Sequence, residues 1–465
     1  MNQIQFFHHK FPSKILWLLI AAPVVITLFL TISHNLNSVK LAAPYRYNFS
    51  PSLPGTEDRQ ATLQQEIAFY QEKTRQTPDS GLNLTALAQA YLKMAKATGE
   101  SNWYLLAEQA AKRSLSHLAF NNQGAVMVLA RVAQARHDFT EAIRLSQQVL
   151  KLQRTNDSAL AILVTSNLAM GKLPAAKTAA DALVNKIPTQ GNLTLQALVF
   201  AAQGQDKGAI ETFQYALAAE EPGELGTSAS TRVLLGQFYY KRGQLELAKN
   251  LYKEALRILP RYPLALLHLA ELETRQGNYQ TAESLYAQVL PNSQKSSTIF
   301  DHAVARGKAK LLQLQGKEQE ADKLLSQAEI LLRQENATGH SNGSFGHRRE
   351  LARLLLEKNN PQDTAEALSL MQAEINIRRD AQTLDTLAWA LLRSGRLPEA
   401  QQKIQEALQL GTRDAGIFYR AGIIAKALGN NQQVLTYEKL AQTVDPSFNE
   451  QARLTSGMGL ENLGI

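Results

Sequence analysis

Nine histidines are the side chains in this 465-residue chain best able to hold a metal or carry a proton. Their spacing does not gather them. No His-x-x-x-His or His-Glu-x-x-His occurs, the spacings that bring two imidazoles onto one face of a helix around zinc. His8 and His9 sit in the N-terminal tail, and His340 and His347 in a Gly/Ser/Asn-rich stretch. His268 stands alone in an apolar helical pattern, where an isolated histidine is structural or faces a partner. The absence of cysteine removes disulfides, thiolate zinc sites, iron–sulfur clusters and thiol nucleophiles together. There is no P-loop and no Gly-rich dinucleotide fingerprint, and the carboxylates are scattered. The sequence therefore predicts no catalysis and no cofactor, and leaves open a weak divalent-metal site assembled from distant segments.

Composition sets the scaffold that would carry any binding residues. Apolar residues reach 45% and aromatics only 7%, and Ala, Leu and Gln recur, a balance that favours helix over strand. With 26 glycines and 15 prolines, no long disordered or collagen-like segment is expected. The formal net charge is +8, yet the basic clusters are short, such as His347-Arg348-Arg349 and Arg378-Arg379. Without a basic stripe or a nucleic-acid module, a protein with acidic patches is the expected partner and nucleic acid is not.

Residues 15–32 (ILWLLIAAPVVITLFLTI) carry no charge, and at ~1.5 Å rise per residue they reach roughly 27 Å, about one bilayer core. Trp17 lies near one end, where an amphipathic ring prefers the interface. The run reads as an uncleaved transmembrane signal anchor. A cleaved signal peptide would have a shorter apolar region followed by small-x-small, whereas Ser33-His34-Asn35 follows here. The expected order is a cytoplasmic tail (1–14), the anchor (15–32), a Pro-bearing linker (33–58), a lead-in helix (59–81), a repeat region (82–448) and a terminal cap (449–465). The repeat region would lie outside the cytoplasm.

The repeat is explicit at 231–260, where Leu235-Gly236, Tyr239, Gly243, Ala248, Tyr252, Ala255 and Pro260 recur as Leu269-Ala270, Gly277, Ala282, Tyr286 and Val289 thirty-four positions on. Turn residues continue the ladder at His137, Gly171, Gly204, Gly243, Gly277, Gly316, Gly395 and Gly429, with a degenerate unit over 347–380 and an early one over 82–118. This pattern resembles the tetratricopeptide-repeat (TPR) family. The blocks 82–156 and 381–448, with phrases such as LDTLAWALLRSGRLPEA, also resemble a group of bacterial membrane-anchored TPR proteins. The resemblance implies an all-α, right-handed superhelical solenoid of about ten helix-turn-helix units. Insertions fall at 220–228, 291–297 and 336–346.

In that family the first helix of each unit lines a concave groove. Carried onto this chain, the groove positions are Gln237, Tyr240, Lys241, Glu271, Arg275, Arg306, Lys310, Arg349, Arg353, Asp385, Trp389, Arg393, Tyr419 and Lys426. Earlier units offer small residues there, such as Thr165 and Ala169. Arg and Lys beside Tyr and Trp suit an extended acidic peptide, with guanidinium forks on carboxylates and rings on apolar stems. The carboxylate clamp of chaperone-binding TPRs is absent. A protein scaffold at a membrane is the leading expectation, with assembly of a membrane complex as its setting. The alternatives are an adaptor of envelope polysaccharide or secretion machinery, a regulatory subunit, and a metal-delivery or photosystem-assembly factor.

Overall fold

The computed structural model describes residues 42, 45–50, 56–289, 298–337, 347–358 and 360–455. The chain divides into Met1–Ala43 and Pro44–Ile465, and all described helices lie in the second unit. The expected anchor at 15–32 falls outside the described residues. Among the described residues no helix is long and apolar enough to cross a membrane.

The secondary structure of the described residues is helical. A lead-in helix, α1 (Thr56–Gln76), is followed by ten antiparallel pairs. These are α2 (Gly81–Thr98) with α3 (Ser101–His117), α4 (Gln123–Ala135) with α5 (Phe139–Leu152), and α6 (Asp157–Ala169) with α7 (Leu173–Lys186). Next come α8 (Gln190–Ala202) with α9 (Asp206–Ala218), α10 (Leu225–Tyr240) with α11 (Leu245–Ile258), and α12 (Pro263–Arg275) with α13 (Tyr279–Val289). The array continues as α14 (Asp301–Leu314) with α15 (Glu318–Ala337), and α16 (Arg348–Glu357) with α17 (Pro361–Glu374). It ends with α18 (Ala381–Arg393) and α19 (Leu397–Gln409), then α20 (Ala415–Ala427) and α21 (Asn431–Val444). A short α22 (Glu450–Thr455) packs back on α12 and α14. The degenerate unit is the α16–α17 pair. The lead-in helix stops five residues before the expected 81, because Pro78 cannot donate to a helix and Ser80 instead caps α2 by accepting from the Asn83 N–H.

Each pair forms for local reasons. Asp or Asn caps open many helices: the Asp138 carboxylate accepts the Glu141 N–H at 3.0 Å, and Asn156 accepts the Ala159 N–H at 3.0 Å. The turn residues of the ladder, His137 included, take φ between 59° and 79°. Inside the pairs, Leu235, Ala248 and Ala255 have no exposure and Tyr252 only 1%. The size alternation is steric. A Cβ on Gly236 would lie 2.4 Å from the Tyr252 ring, so glycine makes the room the ring occupies.

The solenoid closes on itself. Ala202 and Thr412, 210 residues apart, are joined by a 3.0 Å hydrogen bond from the Thr412 hydroxyl to the Ala202 carbonyl, so one superhelical turn holds about six 34-residue units. The contact repeats along a seam. The Ile299 N–H donates to the Gly99 carbonyl at 3.1 Å, and the Arg379 N–H to the Ala169 carbonyl at 2.8 Å. The Gln451 amide donates to the Thr274 carbonyl at 3.1 Å. All four acceptors lie at C-terminal ends of first helices, where carbonyls lack an intrahelical partner. The second turn of the superhelix supplies the missing donors.

Part of the expected linker also belongs to this body. Tyr45 and Tyr47 are buried against the middle of the array. The Tyr47 N–H donates to Glu254 at 2.8 Å, while Arg232 and Arg257 each donate at 2.9 Å to the carbonyls of Tyr45 and Tyr47.

Candidate functional site: the central cavity

The coiled first helices enclose a cavity of about 1010 Å³. It is lined by α10, α12, α14, α16, α18 and α20, by the turns of the earlier units, and by residues at the C-terminal end. Twelve of the fourteen sequence-derived groove positions line it: Gln237, Tyr240, Lys241, Glu271, Arg275, Lys310, Arg349, Arg353, Asp385, Trp389, Arg393 and Tyr419. Arg306 lies behind the wall with 1% exposure, and Lys426 is exposed elsewhere. Thr165 and Ala169 line the early side.

Most of the basic positions are held by acids of the chain itself. Arg275 meets Asp445 at 2.7 Å, Lys310 meets Glu357 at 2.8 Å and Arg306 meets the same carboxylate at 3.5 Å. Arg349 reaches Asp380 at 3.0 Å, and Asp385 is shared by Arg420 at 2.6 Å and Arg353 at 3.8 Å. Lys241 faces Asp414 at 3.6 Å, an ion pair that also crosses between superhelical turns. Burial alone would raise the Asp385 carboxyl strongly; Arg420 and Arg353 oppose it, and a net upward shift remains. Burial and then the Glu271 charge push the Tyr240 phenol up, so it stays a neutral donor. The Arg420 guanidinium lies 4.5 Å from the Trp389 ring centre, and that of Arg275 5.2 Å from the Tyr240 ring.

Within the lining itself cations outnumber acids, although acids outside it also reach in: Arg242 pairs with Asp206, Lys358 with Glu329 and Arg453 with Glu450. The lining contains twelve Lys and Arg side chains against eight Asp and Glu. Arg393 is exposed and Arg413 partly so, the latter 3.2 Å from Asp206. Arg242, Arg378, Arg413, Arg420, Arg453 and Asp445 were not among the sequence-derived positions. Asp445 and Arg453 reach the cavity where the C-terminal end returns to the first turn, whereas Arg420 lines it from the first helix α20 and Arg242 from the turn after α10, at positions outside the groove register.

A second cluster is formed by residues of α14, α15 and the start of α16. His302 on α14, Glu335 on α15 and His347 at the start of α16 have donor atoms all within 4.8 Å of one another. His347 Nε2 stands 3.6 Å from a Glu335 oxygen, and the rings of His302 and His347 are 4.9 Å apart. Burial lowers the pKa of both imidazoles, that of His302 well below the ordinary range. Burial, with Asp301 and Glu350 adding to it, pushes the Glu335 carboxyl up to about 8.

The family described as the MalT-like TPR region matches residues 124–416. Among curated relatives, the uncharacterized protein ycf37 of Pyropia yezoensis is 44% identical over 57 residues, 12% of this chain and 32% of that protein. Its namesake in Porphyra purpurea is 39% identical over 80 residues, 17% of this chain and 46% of that protein. The chain thus spans less than half the length of the curated relatives it matches. Among solved structures, the Cut9–Hcn1 hetero-tetramer of APC/C aligns over 86% of this chain and 94% of that chain, at 12% identity and a TM-score of 0.36. The human IFIT1 dimer with PPP-AAAA aligns over 85% and 96%, at 14% identity and a TM-score of 0.44. With ten helix pairs, a 34-residue register and a family match over most of its array, the chain belongs to the tetratricopeptide-repeat proteins, in the MalT-like TPR region family.

Proposed function

We propose that this protein is a non-catalytic scaffold that holds an extended acidic segment of a partner protein in its central cavity, and that residues 15–32 anchor it in a bacterial membrane. The observation that carries the reading is the cavity lining, where twelve basic side chains exceed eight acidic ones beside Tyr240, Trp389 and Tyr419. A carboxylate-rich peptide would take up the surplus, competing with Asp206 for Arg413 and engaging the exposed Arg393, while its apolar stems pack on the rings. Assembly of a membrane complex is the setting that this combination of anchor and peptide-binding cavity suits.

The test is capture of partners from detergent-solubilised membranes by the full chain, read by mass spectrometry, together with binding of a fluorescent Glu-rich peptide. Arg393→Glu with Arg413→Glu should lower both and flatten their salt dependence, because exposed charges are screened over ~8 Å at physiological ionic strength. Reversing the exposed Lys253 and Lys323, which do not line the cavity, should leave both intact. Equal capture by the cavity variant and the native chain would end the reading. The anchor has its own test: the full chain should stay with membranes through a carbonate wash, and release would remove that part of the proposal.

A further inference from the structure

We infer that His302, Glu335 and His347 form a site for a divalent transition-metal ion of the zinc type, which ties α14, α15 and the start of α16 together beside the seam. The donor set comes from three different helices, so no sequence motif announces it. His302 has no exposure and His347 has 4%. Neither ring nitrogen of His302 has a hydrogen-bond partner among the described residues, and His347 Nδ1 has none among them. A buried imidazole with no partner on either nitrogen is uncommon, since buried polar groups are ordinarily satisfied by protein, water or an ion.

The geometry fits a small cation after modest closure. Ligands at 2.0–2.2 Å from a tetrahedral ion stand roughly 3.3–3.6 Å apart. His347 Nε2 and Glu335 are already at 3.6 Å, and the widest separation in the set, 4.8 Å, needs about 1 Å of side-chain movement. Two imidazoles and one carboxylate are a borderline nitrogen and oxygen set, which selects zinc-like ions over calcium or magnesium. The charge balance is favourable too. Asp301 and Glu350 act on Glu335, Arg306 on His302, and Glu350 and Arg378 on His347. Glu335 gives up its proton as the ion enters, and with it ionised three carboxylates face two guanidiniums.

Position gives the site its consequence. Glu335 and His347 flank the insertion at 336–346 in the sequence. Across the seam, the ring of His137, the turn residue of the α4–α5 unit, lies 6.2 Å from that of His347. The seam contacts on either side are the Gly99–Ile299 and Ala169–Arg379 hydrogen bonds. A metal here would therefore join α14, α15 and α16 at a point that borders the seam.

The full chain, stripped with chelator in detergent, would be titrated with Co²⁺ and then Zn²⁺. One equivalent of Co²⁺ should give visible absorption of a four-coordinate site, lost on adding one equivalent of Zn²⁺, and Zn²⁺ should raise the Tm. His302→Gln and Glu335→Gln should each weaken binding at least tenfold and abolish the Tm rise, while His117→Gln, on a distant outer helix, should change neither. If His302→Gln loses its helical circular dichroism, the nearly isosteric Glu335→Gln still decides the matter. Absence of a visible band, or a band and Tm rise that survive in Glu335→Gln, would overturn the site and assign any bound ion to other histidines.

Discussion

Arg275 and Asp445 meet at 2.7 Å although they stand 170 positions apart in the chain. Asp445 also packs on Gly243, where a Cβ would come within 2.1 Å of its Oδ1. Both members of the pair are buried, and both sit at helix ends, Arg275 closing α12 and Asp445 capping α21. The pair is thus a rivet between the first superhelical turn and the second. Breaking a buried pair strands one charge, so Arg275→Ala or Asp445→Ala should each cost about 3–5 kcal/mol. The double substitution should cost less than the sum by about 1–3 kcal/mol, because the second change strands nothing further. Urea unfolding of the four chains measures this, and strict additivity would show that the pair does not hold the seam.

The strap at 45–50 should be part of the folded body and not a tether. It covers Arg232, which has no exposed surface and also pairs with Glu220. A chain that begins at residue 44 should melt cooperatively. One that begins at residue 60 loses the Tyr45 and Tyr47 contacts and leaves Arg232 without its acceptor at Tyr45. It should be less stable by about 2–4 kcal/mol, from two buried rings and several hydrogen bonds. Equal melting temperatures would mean that the strap contributes nothing.

The repeats were legible because each consensus residue acts within its own pair. Leu235, Tyr239, Ala248 and Tyr252 stand where the period puts them, all buried. The concave register was legible for the same reason, which is why twelve of fourteen groove positions line one cavity. Closure was not legible. Whether Gly99 meets Ile299 depends on small rotations summed over about six units, and the bonds made there run largely to main-chain carbonyls, which no residue type signals. For that reason Arg275 reads as a groove cation open to a partner, whereas Asp445 occupies it in the folded chain; Arg349 is occupied by Asp380, the cap of the next unit's first helix. Tyr45 and Tyr47 sit among prolines without periodicity, so they read as linker. His302, Glu335 and His347 converge only through the packing of three helices.

Packing inside a unit gives a prediction independent of the seam. Ala248 has no exposure on α11, and its neighbour Gly236 already yields its Cβ space to Tyr252. Ala248→Phe should overpack the α10–α11 contact and cost about 1–3 kcal/mol. Circular dichroism should keep its helical shape while the melting curve moves down. A melt identical to that of the native chain would contradict the repeat register.

The last prediction concerns pH in chelator-treated protein. The Glu335 carboxyl is pushed up to about 8 by burial, Asp301 and Glu350, against 4.5 as the reference value. Between those values the folded chain holds a proton on Glu335 that the unfolded chain releases. Stability from this group is therefore complete below about pH 4.5 and is lost as pH rises through 8. His302 and His347 act in the opposite sense. Their folded pKa values lie below 6.5, so the unfolded chain binds the extra protons, and acidification below that value destabilises the fold. The two effects separate above pH 6.5, where the imidazoles are neutral in both states. From pH 6.5 to 9 the native chain should lose stability relative to Glu335→Gln, on the order of 1–2 kcal/mol after allowance for water reaching a half-buried carboxylate. Urea unfolding of both chains at pH 6.5, 7.5 and 8.5 reads the difference directly. Parallel curves would show that Glu335 is ionised in the folded protein throughout, and that its burial is weaker than the packing of α14, α15 and α16 implies.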